Sequence, residues 1–376
     1  MSRPRSEGED RSAADPRPLA ERLRERVRLG GPLSFREWMS AALYDEREGY
    51  YRRGVERWGR AGDYRTSPEV SPLFAATFAR YFAALHEELG RPDSLLLVEA
   101  GGGAGHFARV LLSTLERDRP EVFGKTLYVF DEVSERSRQH AALLLAPFAD
   151  RVEFRALEDV TGASVVFSNE LLDALPVHRV KMSAGVLREL FVGLDGEGNF
   201  IWAESEPSTP RLAEHFARAG RELAEGQEAE VNLDAEDWIA RAARAAATGG
   251  YVVTVDYGAE ATELYRAPER GQGTLRAFRR HAFVEDVLSD PGEHDLTTTV
   301  DWTQIKNAGE RAGLRTLLLE RQDSFLLRAG LLEQLERETA LAADEAEVAR
   351  LRLGAREMIL PGRMASSFQV LVQKKV

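Results

Sequence analysis

The spacing of hydrophobic residues changes once along the chain, near residue 95. Before that point, apolar positions repeat at helical intervals and predict helices at 19–29, 33–43 and 74–89, with Ser34 as the N-cap of the second. After it, short apolar runs alternate with helical segments. The predicted strands are 95–99, 126–131, 152–155, 164–168, 251–256, 315–320 and 367–373. The predicted helices of this part are 106–118, 134–146, 234–247, 302–312 and 330–353.

Strands that alternate with helices predict an α/β fold, with a mostly parallel sheet and right-handed crossovers. Residues 177–203 interrupt the alternation, because they resemble an antiparallel hairpin with Asp195-Gly196 as its turn. We therefore expect a disordered tail at 1–18, a helical region at 19–92 and an α/β domain at 93–376. Insertions are expected in that domain at about 177–232 and 260–300.

Composition excludes several classes of function. The net charge of −12 argues against general nucleic-acid binding, since phosphate contacts need a basic surface. The chain has no cysteine, which removes disulfides, thiolate metal sites and cysteine nucleophiles. No apolar run approaches the roughly 20 residues that span a bilayer, and the first residues lack the apolar core of a signal peptide. These features predict a cytoplasmic protein that does not enter a membrane.

A glycine-rich turn after the first α/β strand is the strongest chemical signal. Residues 95–105, LLLVEAGGGAG, place Glu99 at the strand end, directly before Gly101, Gly103 and Gly105. Glycines there let the backbone approach a nucleotide-like ligand. The spacing is not G-x-G-x-x-G, and a carboxylate would repel a pyrophosphate, so a NAD-type ligand is disfavoured. A carboxylate suits the ammonium and sulfonium groups of S-adenosylmethionine (SAM), and the alternative is a turn without a ligand.

Acidic residues also follow the next two predicted strands. Asp131 and Glu132 end the second strand, where a carboxylate can bind ribose hydroxyls, and we favour Glu132. The alternative is an acid that only caps the following helix. Glu158 and Asp159 follow the third strand, where an acid can accept the adenine amino group. The sequence does not decide between these two residues, nor against a solvated loop acid.

The fourth predicted strand ends in a polar group, with Asn169, Glu170 and Asp173 after the apolar run 165–167. Sites in parallel sheets lie at these carboxyl ends. Paired carboxylates suit a cationic substrate, above all a planar guanidinium. For Asp173 the alternative is a capping role. No histidine pair has metal-ligand spacing, so we predict no catalytic metal.

The ordered set of motifs resembles the MidA (DUF185) family of class I SAM-dependent methyltransferases, which is related to a mitochondrial complex I assembly factor that methylates arginine. The similarity covers roughly residues 33–376. The matching segments are 49–51, GDYRTSPE at 62–69, the E-x-G-x-G-x-G at 99–105, 132–134, NELLDALP at 169–176, DYG at 256–258, and short motifs at 274–275, 281, 291–292, 295–297 and 300–301.

The resemblance implies a class I methyltransferase fold, a Rossmann-like sheet with helices on both faces. It further implies a helical lid region at 19–92 and a substrate-facing insertion. The cofactor is then SAM, with the glycine turn and Glu99 at its methionine end, Glu132 on the ribose, and Glu170 and Asp173 facing the substrate. The loop that would close over SAM contributes Gly62, Asp63, Thr66 and Pro68, and the remaining expected cofactor contacts are Gly105, Glu158 and Asn169.

The family's usual proline and arginine in the glycine turn are Gly102 and Ala104 here, and the segment 71–76 also departs from the pattern. We predict methyl transfer to a protein, with arginine as the leading target. Glu170 would orient or deprotonate the acceptor, and Asp173 would be the second carboxylate. The alternatives are an assembly factor that keeps only the SAM fold, and a small-molecule methyltransferase. A homodimer is left open.

Overall fold

The computed structural model describes residues 16–53, 71–266, 268–279, 282–360 and 367–376. The predicted disordered tail lies outside the described residues as far as residue 15. In chain order the helices are α1 Leu19–Gly30, α2 Phe35–Tyr44, α3 Pro72–Glu88, α4 His106–Asp118, α5 Pro120–Phe123, α6 Glu135–Leu144, α7 Arg211–Ala219, α8 Leu233–Ala245, α9 Ala261–Leu264, α10 Trp302–Arg311, α11 Gln322–Arg328, α12 Leu331–Leu341 and α13 Glu345–Ile359.

The strands of the described residues belong to three sheets. They are β1 Leu33–Ser34, β2 Leu95–Ala100, β3 Thr126–Asp131, β4 Val152–Phe154, β5 Ala163–Asn169, β6 His178–Ser183, β7 Val186–Leu194, β8 Phe200–Ser205, β9 Glu228–Val231, β10 Ala246–Ala259, β11 Arg276–Arg279, β12 Ala282–Val284, β13 Asp295–Thr297, β14 Val300–Asp301, β15 Leu314–Arg321 and β16 Phe368–Lys375.

The central sheet has eight strands, in the order β4-β3-β2-β5-β10-β16-β15, with β14 paired to β10. Strands β4, β3, β2, β5 and β10 are mutually parallel, and β16 runs antiparallel between β10 and β15. The predicted, mostly parallel sheet is confirmed, including the late strand pair at its edge. Because the parallel strands share one direction, their carboxyl ends meet along one edge of the sheet.

Helices cover both faces of this sheet, so the buried strands are apolar on both sides. One face packs against α3, α4 and the C-terminal helices, where the rings of Phe107 and Phe167 stack and Phe78 contacts both at a steep angle. The other face packs against α8 and α10, with Trp238 and Trp302 as the largest buried side chains. The two apolar layers fix the strand ends, and with them the edge at which polar groups gather.

Four of the five strands of the second sheet, β6 to β9, lie in the expected insertion, and the fifth, β1, comes from the N-terminal region. The order of this sheet is β1-β7-β6-β9, with β8 paired to β7, and all its pairings are antiparallel. It therefore contains two hairpins, not one. The Asp195 turn joins β7 to β8 as predicted, but β6 and β7 are joined at Ala184-Gly185, both with positive φ (51° and 73°). A third sheet, in the order β12-β11-β13, lies in the second expected insertion.

The structure tests the predicted start of α2 and the predicted length of the helix at 330–353. Ser34 is the N-cap of α2, and with Glu37 it forms a reciprocal capping box, as the sequence predicted for the cap. The single helix predicted at 330–353 is wrong, because the chain breaks into α12 and α13. Asp344 is the N-cap of α13, because its side chain accepts a hydrogen bond from the Glu347 backbone. The division of the chain at residues 92 and 93 stays a prediction.

Candidate active site

The carboxyl ends of β2, β3, β5 and β10 open into a cavity of about 790 Å³. Its opposite walls come from the N-terminal helices and from the third sheet. This is the volume of a small-molecule site, and it lies at the edge where parallel sheets place their ligands. The lining includes Tyr44, Tyr51, Gly101, Gly103, Phe130, Asp131, Glu132, Phe154, Glu158, Glu170, Asp173, Trp238, Arg241, Tyr257, Arg276 and Asp295.

The glycine turn forms one end of the cavity. Gly101 and Gly103 line it, and both have positive φ (70° and 56°), a conformation that other residues adopt at a cost. Gly102 stands against Phe130, whose ring lies 2.3 Å from where a Cβ would be, so a larger residue at 102 would displace that ring. Gly105 has φ 84° and packs against α6 instead of the cavity: a Cβ there would lie 2.9 Å from the Cβ of Ala141.

Glu99 lies beside this turn but is not part of the described cavity lining. Its side chain is buried, and its Oε2 accepts a hydrogen bond of 2.7 Å from the Tyr128 hydroxyl. Burial raises the pKa of Glu99 to about 8, although the hydrogen bond from Tyr128 lowers it. The carboxyl is therefore neutral at pH 7 unless a cation approaches it.

Glu132 connects the glycine turn to the end of β3. It lines the cavity, and its carboxylate accepts hydrogen bonds from the backbone of Gly103 (2.8 Å) and of Ser134 (2.7 Å). Asp131 lines the cavity as well. Burial raises the pKa of Asp131 to about 6, against a hydrogen bond from the Leu157 backbone. The structure thus brings both acids to the wall.

Of the second acidic pair, Glu158 and Asp159, only the first residue is in the described lining. Glu158 lines the cavity and pairs with Arg241 at 2.9 Å, whereas Asp159, its neighbour in a 3-10 turn, is absent from the described lining. Phe154 and Trp238 lie on the same part of the wall. Arg241 and Trp238 belong to α8, and no sequence motif assigned them to the site.

Glu170 lies at the acidic end of the cavity, directly after β5, with φ 51°, an uncommon conformation for a non-glycine residue. Its backbone N–H donates to the Val255 carbonyl at 2.9 Å, which continues the pairing with β10 and holds the residue in place. The Asn169 side-chain amide donates to Glu170 Oε1 at 3.0 Å. Asn169 itself is not in the described lining of the cavity.

Asp173 is buried and lines the same end of the cavity. Burial raises its pKa to about 6, while a hydrogen bond from the Tyr257 side chain and the charge of Arg276 lower it. One carboxyl oxygen of Asp173, Oδ1, is buried without a hydrogen-bond partner in the described part of the chain. Such an atom favours a donor group, which a ligand in the cavity can supply.

Asp256 is a third acid at this end, and the sequence reasoning gave it no role. It is fully buried, and its Oδ2 accepts the backbone N–H groups of Leu172 (2.9 Å) and Asp173 (3.3 Å). Burial and the charges of Asp173 and Glu170 raise its pKa, and backbone hydrogen bonds oppose this. The sequence could have identified Asp256 from its position at the end of a predicted strand, in the DYG segment.

Two tyrosines from the N-terminal region close the cavity above the acids. The Tyr44 hydroxyl donates to the Ala174 carbonyl at 3.0 Å, and the Tyr51 hydroxyl donates to Asp295 Oδ1 at 2.7 Å. Gly62, Asp63, Thr66 and Pro68, expected in the loop over the cofactor, lie outside the described residues. Within the described ranges no cluster of three or more His, Cys, Asp or Glu side chains could hold a metal, and no helix there could cross a membrane.

The sheet order and the cavity at its carboxyl edge define the fold class, that of class I SAM-dependent methyltransferases, as predicted. A family model for S-adenosyl-L-methionine-dependent methyltransferases matches residues 77–319. Because this match covers more than half of the chain, the protein belongs to that family and uses SAM as its cofactor. The predicted enzyme class and cofactor are therefore confirmed.

Two solved structures support this family assignment. A Burkholderia thailandensis protein, crystallised with S-adenosyl-homocysteine and described as a methyl transferase, is 29% identical with a TM-score of 0.84, covering 95% of this chain and 92% of its own. A native structure from the same organism has a TM-score of 0.82 at 29% identity, covering 95% of this chain and 91% of its own.

Curated relatives are also similar over most of their length. The Drosophila melanogaster mitochondrial homolog of protein arginine methyltransferase NDUFAF7 is 29% identical, covering 94% of this chain and 84% of its own. The mitochondrial human protein arginine methyltransferase NDUFAF7 is 28% identical, covering 84% and 74%. Because these relatives are named as mitochondrial proteins, our prediction of a cytoplasmic location is wrong.

Proposed function

We propose that this methyltransferase transfers the methyl group of SAM to a guanidinium nitrogen of an arginine in a protein. The observation that carries the proposal is the acidic end of the cavity, where the carboxyl groups of Glu170 and Asp173 both line the wall. A planar cation with several N–H donors fits such a pair, because carboxylates accept paired hydrogen bonds from guanidinium groups. The curated relatives named as protein arginine methyltransferases support the same target.

The remaining wall fits the cofactor. The backbone of Gly101 and Gly103 would contact its methionine part, and Glu132 would accept hydrogen bonds from its ribose hydroxyls. At the far end, Phe154 and Trp238 offer apolar and aromatic surface for a base, and Glu158 offers an acceptor for an exocyclic amine. Glu99 lies behind the glycine turn, where its carboxyl would stabilise the ammonium group of the ligand. These assignments give Glu99, Glu132 and Glu158 the cofactor contacts expected from the sequence, and Asp63 lies outside the described residues.

Bound SAM supplies an activated methyl group on a sulfonium. The protein's part is to align the acceptor nitrogen with the methyl carbon and the sulfur, which is catalysis by positioning. Glu170 is well placed for this, because its backbone is held by Val255 and its side chain by Asn169. A carboxylate that binds two guanidinium nitrogens also concentrates the positive charge there, which leaves the third nitrogen more nucleophilic.

In the transfer, a bond forms between the guanidinium nitrogen and the methyl carbon while the carbon–sulfur bond breaks. The methylated nitrogen then gives up one proton. Glu170 or Asp173 accepts that proton and passes it to solvent. Asp173 suits this role, since its pKa of about 6 lies close to neutrality.

Glu170→Gln tests the proposal. The variant keeps the size and polarity of the side chain but removes the charge, so we expect SAM affinity within threefold of the wild type by calorimetry. Transfer of labelled methyl from SAM to proteins of a host lysate should fall by roughly 10²- to 10⁴-fold. Mass spectrometry of the labelled wild-type products should locate the methyl groups on arginine.

Glu116→Gln, an exposed change on α4, is the matched control and should leave both measurements unchanged. Loss of SAM affinity in Glu170→Gln would make Glu170 a cofactor residue and not a substrate residue. Label in metabolites alone would instead indicate a small-molecule methyltransferase. Wild-type protein that binds SAM but labels no acceptor would favour an assembly factor that keeps the fold.

A further inference from the structure

A second cavity adjoins the acidic end of the active-site cavity. It has a volume of about 650 Å³ and lies between the second and third sheets. We call it the side groove. Arg276 lines both the side groove and the active-site cavity, so the two spaces meet at this side chain. A polypeptide in the side groove could therefore send one side chain towards Glu170 and Asp173.

The floor of the side groove is one face of the second sheet. Arg179, Leu190 and Glu204 stand opposite one another on β6, β7 and β8, so their side chains share that face. The other face carries Val180 and Val231, which pack into an apolar core with α7. Because the sheet is supported from behind, the floor is a firm surface.

The positive charges of the floor are already paired. Arg179 lies over the Trp202 ring at 4.7 Å and pairs with Glu228 at 2.7 Å. Lys181 pairs with Glu204 at 2.9 Å. These pairs hold the long side chains in fixed positions and leave little net charge on the floor. Of the other cations in the lining, Arg270 pairs with Glu263 at 3.8 Å and the charge of Arg276 acts on Asp173, so the charge preference of the side groove depends on the acids of its opposite wall.

That wall is acidic and partly apolar. Phe283 is 61% exposed, and Glu285 and Asp286 follow it as exposed carboxylates. Neither carboxylate pairs with a cation among the residues that the structure describes. An exposed aromatic ring next to two acids favours a ligand segment that carries both apolar and basic side chains.

Arg276 lies where the side groove and the active-site cavity meet. Its guanidinium donates to Thr299 Oγ1 at 3.2 Å and lies 4.9 Å from the Tyr257 ring, which in turn contacts Asp173. Its Nε is buried without a hydrogen-bond partner in the described ranges, and its charge lowers the pKa of Asp173. A backbone carbonyl of a passing polypeptide would supply the missing acceptor.

We propose that the side groove binds the polypeptide segment beside the target arginine, with basic side chains of that segment against Glu285 and Asp286. The target side chain then passes Arg276 and reaches the carboxylates of the active-site cavity. This inference rests on the proposed function, since it requires a protein substrate. It adds a preference for basic neighbours of the methylated residue.

The test is the double variant Glu285→Lys/Asp286→Lys, with Glu333→Lys/Glu336→Lys on α12 as a control with the same charge change on an exposed surface. Each protein is incubated with labelled SAM and limiting host lysate, and separately with N-acetyl-arginine amide, which needs only the active-site cavity. We expect at least a tenfold loss of lysate labelling in the first variant only. SAM affinity and transfer to the small acceptor should stay within twofold. Mass spectrometry should find basic residues near the labelled arginines.

Lysate labelling at the wild-type rate by Glu285→Lys/Asp286→Lys would overturn the side groove while leaving the proposed function intact. Labelled arginines with acidic neighbours would do the same. Wild-type protein that labels N-acetyl-arginine amide but no protein would overturn both the side groove and the protein substrate. Equal circular dichroism spectra and melting temperatures would show that the variants are folded. Phe283→Ala, which leaves the charges in place, should weaken lysate labelling in the same direction.

Discussion

The substitution Glu99→Gln should raise the stability of the protein without SAM and lower the stabilisation that SAM adds. Glu99 is buried, and burial raises its pKa from an ordinary 4.5 to about 8. In the folded protein it therefore holds a proton that it loses when the chain unfolds. Because the folded state binds more protons between these two values, this group's contribution to stability is greatest below pH 4.5 and is lost as the pH rises to about 8.

The magnitude follows from the two pKa values. At 1.36 kcal/mol for each pH unit, the easier ionisation of Glu99 in the unfolded chain lowers the stability of the folded protein by roughly 1 kcal/mol at pH 5 and by at most roughly 5 kcal/mol at pH 8.5. Glutamine resembles the protonated carboxyl, and its carbonyl can still accept the hydrogen bond from Tyr128. We expect Glu99→Gln to gain up to about 4 kcal/mol relative to the wild type between these pH values.

Denaturant unfolding without SAM, at pH 5 and at pH 8.5, measures this difference, with Glu116→Gln as the control. An effect of Glu99→Gln that is equal at both pH values would refute the reasoning. With saturating SAM at pH 8.5, the wild type should become more stable than Glu99→Gln, because the ligand's ammonium group stabilises the ionised carboxylate of the wild type. If SAM stabilises both proteins equally, Glu99 does not interact with the cofactor.

Three further predictions concern Asp173, Asp256 and Gly105. Burial raises the pKa of Asp173 to about 6, so kcat/KM should fall about tenfold per pH unit below pH 6, and Asp173→Asn should lose that limb of the profile; a wild-type profile that is flat to pH 5 would contradict this. Asp256→Asn should lower kcat by roughly 10- to 100-fold with SAM affinity within threefold, because it loosens the turn that carries Asp173; an effect on SAM affinity alone would argue against positioning. Gly105→Ala should cost about 1–3 kcal/mol more of unfolding free energy than Gly90→Ala, since both glycines have positive φ but only the first faces Ala141; equal losses in urea melts would exclude the packing contact.

The sequence predicted seven of the eight strands of the central sheet, all except the two-residue β14, because each of the seven carries its own signal. Buried parallel strands such as β2 and β5 are continuous apolar runs that end in polar residues, and this pattern needs no knowledge of the neighbours. The short strands β1 and β9 were not predicted, since they exist only through pairing with β7 and β6. The turn at Ala184-Gly185 was missed as well, because alanine at positive φ gives no turn signal.

The candidate site was predictable to the extent that its residues follow strands in the sequence. Glu132, Glu158, Glu170 and Asp173 are such residues, and all four line the cavity. Arg276, Tyr44 and Tyr51 come from segments whose place depends on how the third sheet and the N-terminal helices pack over the central one. No local pattern shows that arrangement. Asn169 and Gly105 contact Glu170 and α6, and their expected contacts with the cofactor stay predictions.

The acidic end of the cavity holds more carboxyl groups than it can hold negative charges. Burial, and after it the charges of Asp173 and Glu170, raise the pKa of Asp256, whereas Arg276 lowers the pKa of Asp173. A cationic guanidinium would relieve that repulsion and favour the ionised carboxylates on arrival. When methyl transfer releases a proton, the same crowding makes one carboxyl ready to accept it. In the proposed reaction, one arrangement of charges therefore serves both the recognition of the cation and the removal of its proton.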